Sequence, residues 1–82
     1  MVAEGDYVAV FQSMHRVMKA EKILKDKGFA VRLIPAPRTI TADCGLALQY
    51  GPDIRDAVDQ ALAAAALLPY DRYVKDGGYR LL

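Results

Sequence analysis

The chain has 82 residues, 54% of them hydrophobic and 26% charged, with a formal charge of +1. That balance describes one globular domain, too apolar for a disordered chain and without the clustered positive charge that phosphate backbones or anionic membranes demand. A single cysteine excludes an internal disulfide, so packing within the chain or against a second one must hold the fold.

The opening Met-Val-Ala-Glu-Gly-Asp is polar and acidic, unlike a secretory signal. No apolar run approaches the ~18 to 20 residues that span a bilayer. A reducing, cytoplasmic setting is the expectation, and there a lone thiol stays free.

The first element is "DYVAVF" (6–11), apolar at every position from Tyr7 and therefore a central strand. Ser13 caps a helix over 13–27, which Gly28 ends. Val17, Ala20 and Leu24 form its inner stripe, widened by Met14 and Ile23, and Glu21 and Lys25 make an i,i+4 pair. "AVRLIP" (30–35) is a second strand, with Val31 and Leu33 opposite Arg32, and Pro35 and Pro37 close it. "GLALQY" (45–50) is a third, with Leu46, Leu48 and Tyr50 on one face. Asp53 begins a second helix that runs to 68 and is stopped by Pro69; Ile54, Ala57, Val58, Ala61, Leu62, Ala65 and Leu68 recur at helical spacing. "YDRYVK" (70–75) is the fourth strand, and "DGG" turns the chain into a short tail, "YRLL".

The order β-α-β-β-α-β predicts an α+β fold, the ferredoxin-like split βαβ: four antiparallel strands in order 4-1-3-2 with both helices on one face. Residues 1–82 then form one domain, with a folded core over 6–75 and a turn and tail over 76–82. Val8, Val10, Ile34 and Ala47 face away from the helices. With no helix to cover them, they predict a homodimer through the open sheet face.

This topology places the connection between strands 2 and 3 at the edge where helix 1 begins. Cys44, at the end of that connection, is therefore expected near residues 12–15, where free amide hydrogens and the positive end of the helix dipole favour a thiolate. Ser13, His15 and Arg38 reinforce that setting and Asp43 opposes it. Pro35, Pro37 and Thr41 shape the loop, and Gly45 leaves room beside the sulfur. The competing reading is a small buried cysteine, for which burial favours the neutral thiol. One histidine and one cysteine do not supply the three or four ligands of a zinc site, so neither metal nor cofactor is expected. The sequence holds no glycine-rich phosphate cradle, catalytic dyad or paired-carboxylate motif.

The string "YVAVFQSMHRVMKAEKILKDKGFAVRLIPAPRTITADCGLAL" resembles a family of small bacterial domains described as selenium/sulfur carrier-like. The likeness lies in a strand ending in Phe-x-Ser, in "KAEKILK", in "RLIPAPR", and in a threonine-rich turn into "CGLAL", over about residues 6 to 75. The resemblance implies a carrier or accessory protein and not a stand-alone enzyme. Its thiol, Cys44, would handle persulfide sulfur or selenium, with a SirA-like carrier or a cysteine desulfurase as donor or acceptor. Two other readings use the same residues: a non-catalytic dimeric module that binds a partner or small ligand at this edge, and a redox sensor acting through oxidation of Cys44.

Overall fold

The computed structural model describes residues 2–40, 45–69 and 71–82. Its elements are β1 (Tyr7–Val10), α1 (Met14–Asp26), β2 (Val31–Pro35), β3 (Leu46–Tyr50), α2 (Arg55–Ala64), β4 (Asp71–Asp76) and β5 (Gly78–Leu81). One antiparallel sheet takes the strands in the order β2-β3-β1-β4-β5. The α+β architecture with two helices is as expected, but the sheet has five strands and not four. Residues 78–81 are no loose tail. They pair with β4 through Val74 opposite Arg80 and Asp76 opposite Gly78, around Gly77, whose positive φ of 75° suits a residue without a side chain.

β1 lies in the middle of this sheet, with Val8 opposite Gln49 of β3 on one side and Tyr73 of β4 on the other. Alternation sends Ala9 to one face and Val8 to the other, and both are fully buried. On the first face Ala9, Phe11, Val31, Leu48 and Tyr50 pack with Val17, Ala20 and Leu24 of α1 and with Val58 and Leu62 of α2 in a single cluster. Both helices therefore cover the same face.

α1 starts where expected. The Ser13 hydroxyl accepts the Arg16 amide hydrogen at 3.2 Å, and the helix ends at Gly28, φ 87°, where Phe29 N donates to Leu24 O. Met14 does not join its inner stripe and is half exposed.

α2 departs from expectation at both ends. Asp53 does not cap it, because Pro52 opens a single 3₁₀ turn, Pro52–Ile54, and the α-helical register begins only at Arg55. The helix stops at Ala64, short of Pro69. Ala66 turns the chain with φ 56°, a left-handed conformation that costs an alanine about 1 kcal/mol or more. That turn puts Leu67 into the core at 5% exposure and offsets the strain, while Leu68, assigned to the inner stripe, is left 58% exposed.

Beneath α2, Tyr7 stacks on Tyr50 with centroids 6.0 Å apart, and the Arg55 guanidinium lies 5.0 Å over the Tyr7 ring. Asp59 bridges Arg55 and Arg72 at 3.8 and 2.6 Å. Burial, with Asp59 adding to it, pushes the Tyr50 hydroxyl up to about 12, so this ring is a neutral part of the core.

The opposite sheet face requires a correction. Val8, Ile34 and Ala47 do point there, but they are 0%, 7% and 0% exposed, packed under Val2, Ala36, Ile40 and Tyr79. The N-terminal segment, the loop after β2 and the fifth strand cover them. A homodimer inferred from a bare sheet face loses that premise. Among the described residues no helix is long and apolar enough to cross a membrane.

This burial sets a prediction for Val8→Arg. An unpaired charge forced into that site should cost about 3–5 kcal/mol, out of roughly 4–12 for a chain of this size, and the variant should unfold at lower urea at every protein concentration. Circular dichroism with sedimentation velocity reads the outcome. A folded variant that differs from the parent only in assembly state would mean that Val8 faces a second copy.

Candidate functional site

The end of β2, the start of β3 and the start of α1 share one edge of the sheet. Pro35 stands opposite Leu46, and β3 runs antiparallel to β1, with Ala9 opposite Leu48, so β3 begins beside the end of β1 that feeds α1. Ser13, Pro35 and Gly45 are thereby gathered at that edge. β2 is an outer strand, which is why it tolerates a proline with no hydrogen to donate.

The loop between β2 and β3 is closed at its base. Ala36 N donates to Gly45 O at 3.2 Å, continuing the ladder one step past the strands, and Ile40 N donates to Pro37 O at 3.0 Å in a turn over 37–40. Ile40 packs against the cluster of Val8, Ile34 and Ala47, so the loop is tied down by an apolar side chain as well as by hydrogen bonds. Pro37 is half-buried and Arg38 is exposed. Thr41 and Cys44 lie outside the described residues.

Gly45 is exposed, and a Cβ built on it would meet no atom of the described residues within 4 Å. The glycine therefore answers no packing demand among the described residues. The Ser13 hydroxyl is committed to the Arg16 amide, and the first turn of α1 carries no acidic side chain to neutralise the positive end of the helix. Arg16 and Arg38 form no ion pair among the described residues, and Asp71, opposite Val10 at the start of β4, sets a carboxylate at the same edge. His15 sits on the exposed surface of α1, along a shallow groove that it lines with Met18, Lys19 and Lys22.

Sequence reasoning missed three features. Ile40 anchors the loop; its only signal was an apolar residue within "PRTITAD". Gln12, Arg16, Ala66, Leu68 and Pro69 line a cavity of about 400 Å³ beside the start of α1, formed because α2 ends early. Val2, Ile34, Pro35, Ala36, Pro37, Lys75 and Tyr79 line another of about 350 Å³ on the opposite sheet face, which exists only because β5 is a strand. Among the described residues no three His, Cys, Asp or Glu side chains come together as a metal site.

The family described as "Putative Se/S carrier protein-like" matches residues 6–74, from the first residues of β1 into β4 and across the whole β2–β3 loop. The chain belongs to that family. No curated protein and no solved structure matches it. Family membership thus spans both sides of the closed loop, "IPAPR" before it and "CGLAL" after it.

The open space at Gly45 makes Gly45→Ala a discriminating substitution. With no contact to create among the described residues, stability should stay level or rise by up to about 1 kcal/mol through the stiffer unfolded chain. Urea denaturation checks this. A loss of more than about 1 kcal/mol would mean that the glycine is a packing requirement of the fold.

Proposed function

We propose that this protein is a carrier of sulfane sulfur or selenium, with the Cys44 thiolate as the acceptor. Membership of a selenium/sulfur carrier-like family across the loop that ends in Cys44 and Gly45 is the observation that carries the reading. The geometry around the loop supports it. Pro35, Pro37 and the Ala36–Gly45 hydrogen bond fix the loop ends, the start of α1, with no acidic side chain in its first turn, lies at the same edge, and no described atom crowds a Cβ at Gly45.

The chemistry is a thiol exchange. The Cys44 thiolate attacks the outer sulfur of a donor persulfide, R–S–SH, forming a new S–S bond. The donor's own S–S bond breaks and R–S⁻ leaves with its electron pair, so that Cys44–S–SH forms without net oxidation. The same step on R–S–SeH gives Cys44–S–SeH. A thiolate is the attacking species, and the positive end of a helix at the same edge would assist it. The sequence holds no second cysteine, so release requires the thiol of another molecule. A SirA-like carrier or a cysteine desulfurase is the matching kind of partner, in a reducing, cytoplasmic setting. A homodimer is not required, because the chain's own segments cover the sheet face that it was to bury.

The test is intact and peptide mass spectrometry after incubation with a low-molecular-weight persulfide. Trypsin releases residues 39–55, which hold the only cysteine. That peptide should gain the mass of one sulfur atom, lose it to excess thiol, and gain nothing in Cys44→Ser. An unmodified peptide beside a control protein thiol that is modified would overturn the carrier reading.

A further inference from the structure

The cavity on the sheet face opposite the helices has no part in the carrier reading, yet it has the construction of a ligand site. Its walls are apolar: Val2 from the N-terminal segment, Ile34 and Pro35 from β2, and Ala36 and Pro37 from the loop. At about 350 Å³ it falls at the small end of ligand pockets. Among the described residues Lys75 is the one charged residue of the lining, and its ammonium lies 4.8 Å from the centre of the Tyr79 ring, beside it on β5.

Apart from the Tyr79 ring, nothing among the described residues answers the charge at that lysine. Lys75 is partly buried and forms no ion pair among the described residues. The nearby carboxylates are engaged elsewhere. Asp6 accepts from the Gln49 side chain at 2.6 Å and from Ala3 N at 3.1 Å. Glu4 accepts from Gly77 N at 2.9 Å, and Asp76 pairs with Arg80 at 3.4 Å. A partly desolvated ammonium resting on an aromatic ring at the mouth of an apolar cavity is complementary to an anion, and the walls are complementary to an apolar body.

We propose that this cavity binds a small organic carboxylate, its carboxylate on Lys75 and its apolar body against Val2, Ile34, Pro35 and Pro37. Inorganic anions are poor candidates, because the walls bring no array of donors to replace their hydration. A neutral molecule of the same shape leaves the ammonium without a counter-charge. The site stands whether or not Cys44 carries sulfur.

The experiment is a ¹⁵N chemical-shift titration of the full chain with three probes: benzoate, benzamide and inorganic phosphate. Benzoate should give saturable shifts confined to residues 34–37 and 74–79 and to the N-terminal segment, at least tenfold tighter than benzamide. Phosphate should leave these amides unmoved. Lys75→Met should weaken benzoate at least tenfold to the level of benzamide, while Lys75→Arg should keep binding within a few-fold. The dispersion of the remaining amides reports that each variant is folded. Equal binding of benzoate and benzamide, phosphate shifts at the same residues, no saturable shift at all, or unchanged affinity in Lys75→Met would each overturn the proposal.

Discussion

A central strand buried on both faces is the constraint on which the rest of this structure depends. Val8, Ala9, Val10 and Phe11 are all at most 4% exposed, so each face of β1 must have its own cover. Among the described residues there are only two α-helices, and both lie on one side. The other side is covered by what remains: Val2 from the N-terminal segment, Ala36 and Ile40 from the β2–β3 connection, and Tyr79 from a fifth strand. Eighty-two residues leave little surplus, and segments that look like connections in the sequence are part of the core's second layer.

That economy has a functional consequence. The connection that covers Val8, Ile34 and Ala47 is the same one that leads to Cys44. Its start is fixed by two prolines, its base by the Ala36–Gly45 hydrogen bond, and its middle by Ile40. A loop of this length without such ties would spread its thiol over many positions and lose encounter geometry to entropy. Under the carrier proposal, stability of the second layer and presentation of the cysteine are one property. The cavity lined by Val2, Ala36 and Tyr79 lies among these same covering segments.

Much of this was legible in the residues. Periodicity placed β1, α1, β2, β3 and β4 within a residue or two, because apolar stripes at spacings of two and 3.6 are what a core selects. Ser13 and Gly28 marked the bounds of α1 through their backbone chemistry. Topology alone brought Pro35, Gly45 and Ser13 to one edge. What escaped was decided by tertiary contact. "GYRL" carries too few apolar residues to announce a strand, and it becomes β5 by completing a hairpin with β4. The end of α2 was hidden in an alanine run without a glycine to mark it; burial of Leu67 outweighs the strain at Ala66. Lys75 and Tyr79 are ordinary surface types in sequence, and only their neighbouring places on β4 and β5 make them one feature.

The carrier proposal requires the covering loop to present Cys44 as a reactive thiolate and not to pack it as core. The most direct measurement is the pH dependence of iodoacetamide alkylation in the native protein and in the chain unfolded in urea. A thiol at the positive edge of α1 should reach half-maximal alkylation rate at a lower pH in the native protein than in the unfolded chain. A midpoint at higher pH in the native protein, or protection from alkylation until the chain unfolds, would place Cys44 in the core and contradict the account.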